Sequence, residues 1–220
     1  MNTTREPALR VTPLDASHVS RVASMLAHAF ADDAAYAYLF PTPETRSAGL
    51  RQFFEGNLRT HLPHACTFVA LDANERAIAT VTLRPPAGIE ISLWTMLRRG
   101  LVPFALAHGG AAVRRLFWLK QTYDALEAEA AAHAPRAYVH MMAVAPEHQG
   151  RGVGSQLLSR VLRRHAVTQT VLTTNLPRNV VFYRRHGFEV MSERALNPPD
   201  SHAYTVWSMR AQSSTVPASD

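Results

Sequence analysis

The sequence predicts a single α/β domain. Three observations predict it: residues 137–212 alternate strand-like and helix-like runs, residues 66–84 pair two β-rich runs around a polar turn, and the N-terminal part carries amphipathic helical periodicity. With 220 residues, 47% hydrophobic, 14 Pro and 10 Gly, the chain holds enough apolar material for one sizeable core. No internal repeat divides it. The domain is expected to span residues 1–212, with a helical insertion over about 89–132 and a flexible tail at 213–220.

In chain order, ALRVTPL (8–14) reads as a short first strand. Asp15 reads as the N-cap of a helix whose apolar face runs Val19, Val22, Ala23, Leu26 and Phe30. An aromatic stretch with Tyr36, Tyr38 and Phe40 follows. Thr42 and Pro43 look like the cap and first turn of a second helix bearing Leu50, Phe53, Phe54 and Leu58. CTFVALDANERAIATVTLR (66–84) is a hairpin signal, ended by Pro85 and Pro86. The insertion is helical with a break at Gly109-Gly110. Ala137–Val144 is then a strand, Gly154–His165 a helix, Thr170–Thr174 a strand, Pro177–Arg185 a short helix stopped by Gly187, and FEVMSE and HAYTVWSMR two more strands.

Composition excludes several classes. A single cysteine, Cys66, rules out an internal disulfide framework and a Cys-rich zinc site, and points to a reducing, cytoplasmic compartment. MNTTREPALRV lacks the apolar segment of a signal peptide. The longest uncharged run of the insertion, between Arg99 and Arg114, falls short of the roughly 20 apolar residues a membrane span needs, so no stable membrane insertion is expected. His61 and His64 have no clustered carboxylate or cysteine partner, so no metal is expected. The net charge of +6 is carried mostly by scattered arginines, without the basic stripe of a nucleic-acid surface, and suits a polyanionic small molecule better.

The glycines of MMAVAPEHQGRGVGSQLL (141–158) carry the chemistry. Gly150, Gly152 and Gly154 stand after a strand and at the start of a helix. There glycine permits positive φ and removes the Cβ that would hold a ligand away, while the helix points its positive end at the same place. The spacing G-x-G-x-G, with Thr173, Thr174 and Asn175 downstream instead of an acid, does not fit a dinucleotide fingerprint. The absence of Gly-Lys-Ser/Thr excludes a nucleoside-triphosphate loop.

Gln149-Gly150-Arg151-Gly152-Val153-Gly154 resembles the Q/R-x-x-G-x-G/A signature of the GNAT superfamily of acyl-CoA-dependent N-acyltransferases. Val144-Ala145-Pro146-Glu147-His148 matches that family's lead-in, and NVVFYRRHGF (179–188) resembles its second signature. The resemblance is closest to the puromycin N-acetyltransferase-like branch, through the HQGRG loop and the P-R-N-x-x-F-Y-x-x-x-G-F string from Pro177 to Phe188. It is strongest over 136–190. It implies a mixed, mostly antiparallel central sheet, splayed at the fourth and fifth strands and flanked by helices.

The resemblance also implies a site. Met142, Ala143 and Val144 offer main-chain groups to the pantetheine arm of acetyl-CoA, and Gln149, Gly150, Arg151, Gly152, Val153, Gly154 and Ser155 surround the pyrophosphate. Asn179 would contact the pantetheine or the adjacent chain; Leu176 stands where the wider family often has asparagine. Tyr183 matches the tyrosine near the cofactor sulfur: a phenol with pKa near 10 can protonate a thiolate whose thiol has pKa near 8.5.

His140 is the candidate base, because strand alternation places Tyr138, His140 and Met142 on one face, an arrangement similar to that of arylalkylamine N-acetyltransferase. Thr173 stands where the puromycin-type branch often carries glutamate. Asp32, Asp33, Tyr36 and Tyr38 could line a pocket for a cationic acceptor or form a solvated helix end. The expected function is transfer of acetyl to a small-molecule primary amine by direct attack through a tetrahedral intermediate. The alternatives are a non-catalytic acyl-CoA sensor, a protein N-terminal or lysine acetyltransferase, and a membrane-surface or partner-docking protein acting through residues 89–132. A monomer and a homodimer are both compatible with this reading.

Overall fold

The structure is a computed structural model that describes residues 9–86, 89, 98, 101–130, 136–165 and 169–212. Its strands are β1 (Arg10–Pro13), β2 (Thr67–Leu71), β3 (Ala77–Arg84), β4 (Ala137–Val144), β5 (Gln169–Thr174), β6 (Glu189–Leu196) and β7 (Tyr204–Gln212). They form one seven-stranded sheet in the order β1-β2-β3-β4-β5-β7-β6, antiparallel throughout except for the parallel pair β4–β5. The α-helices are α1 (Val19–Ala29), α2 (Ala34–Leu39), α3 (Pro43–His61), α4 (Val102–Ala130), α5 (Val153–His165) and α6 (Pro177–Arg184).

Local chemistry accounts for most boundaries. Pro43 and Pro177 stand in the first turns of α3 and α6, where a missing N–H costs nothing. Gly109, at φ 75°, breaks α4 into two segments, at the expected place. Gly187, at φ 79°, lies in the turn that follows α6. Asp15 does not cap α1 directly: its carboxylate accepts the Ser17 and His18 N–H groups and shapes the turn before it, so α1 starts at Val19 with His18 at the cap. That local hydrogen bonding satisfies the same donors one step earlier.

The two faces of the sheet bury separate clusters. One face packs Val69, Leu71, Met141 and Ala143 under α1, α2, α3 and α4, with Leu26, Leu50, Phe54 and Leu58 fully buried. Each of those side chains contributes roughly 1.5–3 kcal/mol by leaving water. The opposite face packs Val81, Val139 and Leu172 under α5, whose Leu157, Leu158 and Val161 interlock with Phe188 and Met209. Covered on both faces, β2 is buried at every position, which is why TFVAL reads as a continuous apolar run.

β4 departs from simple alternation. Thr82 pairs with Met141 and Leu83 with Val139, so His140 is an extra residue in a β-bulge. The expected grouping of Tyr138, His140 and Met142 on one face is therefore corrected: Met142 joins the face of Val139, below α5, and Met141 takes the opposite face. Immediately beyond the bulge the sheet opens. The β4–β5 ladder ends at Val139–Leu172, while β5 continues beside β7 through Thr174–Trp207. Residues 140–144 thus have no strand partner on the β5 side. Residues 87, 88, 90–97, 99, 100, 131 and 132 of the expected insertion, and the expected tail at 213–220, lie outside the described residues.

Candidate active site

The glycine loop follows a single turn of 3-10 helix, Pro146–His148, at the end of β4. Gly150 and Gly152 adopt φ of 73° and 76°, and nothing lies within 4 Å of a Cβ built on either. Positive φ at alternate positions is the conformation that lets successive N–H groups turn toward one side. From Gly150 to Ser155 no backbone N–H makes a backbone hydrogen bond among the described residues; the first bond of α5 is Gln156 N–H to the Gly152 carbonyl. A run of unspent donors at a helix N-terminus is an anion cradle, and a pyrophosphate fits its donor set.

The side chains around the cradle have distinct tasks. Gln149 turns back, donating from Nε2 to the Val144 carbonyl at 3.0 Å. Val153 is buried in the core and can offer only its N–H. Gly154 is there for close packing: an added Cβ would meet Val144 Cγ2 at 3.2 Å and Met142 Cε at 3.3 Å. Ser155 Oγ lies 2.9 Å from Nε2 of buried His186, whose pKa burial lowers, so a neutral imidazole fixes the hydroxyl in the first turn of α5. His186 was not foreseen, since its partner lies 31 residues away.

Tyr183 sits on α6 beneath the mouth of the split. Its ring packs against Phe182 and Phe188, with centroids 5.1 and 5.5 Å away, and its hydroxyl points at Met142 Sδ, 3.9 Å distant. Burial, with Tyr138 adding, pushes its pKa well above the ordinary phenol range, so it stays protonated. Tyr183, Met142, Gly154 and Phe182 meet where the cradle adjoins the unpaired edge of β4. Asn179 donates from Nδ2 to Thr174 Oγ1 at 3.1 Å, a contact with the adjacent chain that clips α6 to the end of β5.

His140 is half-buried and stacks on His61, with centroids 5.4 Å apart and planes at 29°. Burial, then His61 and Arg84, depresses its pKa to about 3. Burial also lowers His61, against the bond from its Nδ1 to the Asn57 carbonyl at 2.9 Å. A carbonyl only accepts, so Nδ1 carries the proton and Nε2 of His61 is the free acceptor. His61 was legible only as part of an isolated His-x-x-His; its role depends on the end of α3 reaching β4.

The four residues after α1 separate. Asp32 is exposed, and Tyr38 packs edge-on against Trp118 with centroids 5.3 Å apart. Asp33 is buried and caps α2, and Asn175 Nδ2, at the end of β5, donates to it at 2.9 Å. Tyr138 is held by a 2.9 Å bond between its hydroxyl and Thr173 Oγ1, and its ring lies 6.2 Å from that of His140. Among the described residues no group of three or more His, Cys, Asp or Glu is placed to hold a metal ion, and no helix is long and apolar enough to cross a membrane.

Comparisons with known proteins agree with this architecture. Residues 113–190 match the family described as an acetyltransferase (GNAT) domain. No curated protein matches the chain. Among solved structures, the chain is similar to a histone acetyltransferase HPA2-related acetyltransferase from Corynebacterium glutamicum, at 21% identity and TM-score 0.62, covering 97% of this chain and 99% of that one. It is similar to a Drosophila melanogaster polyamine N-acetyltransferase that forms N-acetylagmatine, at 18% identity and TM-score 0.62, covering 93% and 99%. A phosphinothricin acetyltransferase from Sinorhizobium meliloti, in complex with acetyl-CoA, aligns at 13% identity and TM-score 0.55, covering 94% and 89%. At these identities the likeness concerns the fold, and the seven-stranded, mostly antiparallel sheet split between β4 and β5 is the GNAT fold.

Proposed function

We propose that the protein is a cytoplasmic N-acetyltransferase that moves an acetyl group from acetyl-CoA to a primary amine of a small molecule. The observation that carries this reading is the run of unspent N–H groups from Gly150 to Ser155, opening beside the hydroxyl of Tyr183 at the split of the sheet. The GNAT-domain match over 113–190 and the acetyl-CoA complex of the Sinorhizobium meliloti enzyme support the donor. The polyamine acetyltransferase supports a small amine as acceptor. The Pro177–Phe188 string supports a puromycin-acetyltransferase-like branch.

When bound, acetyl-CoA supplies a thioester carbonyl open to direct attack, and its sulfur leaves as a thiolate. The chain does the rest. Gly150–Ser155 hold the pyrophosphate by N–H donation, and the free edge of Met142, Ala143 and Val144 orients the pantetheine. Tyr183 donates its proton to the departing sulfur. His140 stays neutral at working pH: its pKa of about 3 makes it a weak resting base but leaves it able to accept a hydrogen bond from the amine. The stacked His61 holds the His140 ring in place, and the proton lost by the amine passes from His140 to water.

Titration calorimetry with acetyl-CoA tests the donor site, and failure to bind would remove this reading. Thiol release over a panel of amines tests the chemistry; tight binding without turnover of any amine would favour an acyl-CoA sensor.

His140→Asn is expected to lower kcat/KM most below the pKa of the acceptor amine, where proton removal limits the rate; an unchanged pH profile would take His140 out of the mechanism. The same variant has a stability signature. Between about pH 3 and the ordinary histidine value of about 6.5, the unfolded chain protonates residue 140 and the folded chain does not, so the wild type loses stability as pH falls through that window. Removing this group should recover up to about 2 kcal/mol at pH 5 relative to pH 7, read by denaturant unfolding at both.

A further inference from the structure

Asp33 is only 7% exposed, yet half of its carboxylate is unspent. Oδ1 accepts three donors: the N–H groups of Ala35 at 3.0 Å and Tyr36 at 3.4 Å, and Asn175 Nδ2 at 2.9 Å. Oδ2 receives none among the described residues and is not sealed from solvent. Nor does any Arg, Lys or His among the described residues pair with it. A buried carboxylate without a counter-ion is costly, and such groups are ordinarily paired.

The surroundings suit a cation. Asp33 acts electrostatically on three phenols: Tyr36 of α2, Tyr123 of α4 and Tyr204 of β7. The Tyr204 hydroxyl is buried and interacts with that of Tyr123. Phenol hydroxyl oxygens and an open carboxylate oxygen are acceptors that an ammonium group can use. The site is linked to β4 through the end of β5: Asn175, which donates to Asp33, lies two residues beyond Thr173, whose hydroxyl holds Tyr138, and the Tyr138 ring is 6.2 Å from that of His140.

We infer that Asp33 Oδ2 binds a second positive charge of the acceptor, so the substrate is a dication, an α,ω-diamine or guanidino-amine, acetylated at the end away from Asp33. This rests on the acetyltransferase reading above. Asn175 is a positioning residue: by loading Oδ1 it leaves Oδ2 as the oxygen that takes the ammonium.

The test compares diaminobutane with butylamine, which differ only in the second amine. The wild type is expected to favour the diamine by at least tenfold in kcat/KM. In Asp33→Asn, whose amide oxygen can still cap α2, the KM for the diamine should rise to that of butylamine, with acetyl-CoA affinity by calorimetry unchanged. Asp33→Ser, another good cap, should give the same loss and keeps the test open if the amide variant folds poorly. Exposed Asp32→Asn should retain the preference. Equal use of both amines by the wild type, or a preference that survives Asp33→Asn, would overturn the assignment. If acetyl-CoA binds but neither amine is acetylated, the acetyltransferase reading fails separately. Calorimetric binding of the diamine then decides the site: binding lost in Asp33→Asn supports it, and binding that persists there, or is absent from the wild type, refutes it.

Discussion

Tyr183→Phe should lower kcat by about 100-fold or more, the lower range for losing a positioned general acid, while KM and acetyl-CoA affinity change little. The asymmetry follows from the geometry. The hydroxyl makes one long contact, to Met142 Sδ at 3.9 Å, whereas the ring is wedged between Phe182 and Phe188. Phenylalanine keeps the ring, so unfolding should shift by no more than about 0.5 kcal/mol. What is lost is a protonated donor beside the unpaired edge of β4. Burial holds that proton on the phenol at rest, and the same burial would raise the basicity of a thiolate departing beside it. Stopped-flow thiol release separates the outcomes; an unchanged kcat would assign Tyr183 to packing alone.

Gly152→Val should abolish tight acetyl-CoA binding, raising Kd by about 100-fold, equivalent to about 2.7 kcal/mol. Two costs combine. At φ 76° a β-branched residue is strained by about 1–2 kcal/mol or more. Its side chain would also project into open space in front of the N–H groups, where nothing lies within 4 Å. Gly109→Val isolates the first cost, because Gly109 has φ 75° and equally open surroundings but sits in the break of α4. The Gly109 variant should lose comparable stability with no change in Kd. Parallel melting curves and calorimetry check this, and a Gly152 variant with lowered stability but wild-type Kd would mean that the loop is not the cradle.

Local signals made much of this legible. Pro43, Pro177 and Gly187 mark boundaries by chemistry that acts within a few residues, and the alternation after residue 136 revealed the α/β layering. The glycine spacing marked a loop with positive φ at alternate positions, because that conformation is itself a local property. Residues whose meaning depends on distant partners were not legible. Asn175 reaches Asp33 across 142 residues, and His186 reaches Ser155 across 31. A period of two also cannot show a bulge, so Met142 was placed on the wrong face of β4. Asp33 did carry an available signal, an aspartate directly before the Ala-Ala-Tyr run, which is an N-cap pattern.

The bulge has an evolutionary consequence. Val139 and Met141 already face opposite sides and pair with adjacent residues of β3, so β4 without residue 140 would be a regular strand with every other side chain where it is now. His140 is thus surplus to the sheet. A lineage could gain or lose it as a one-residue insertion without rebuilding either layer, and the loss would straighten the strand next to the split.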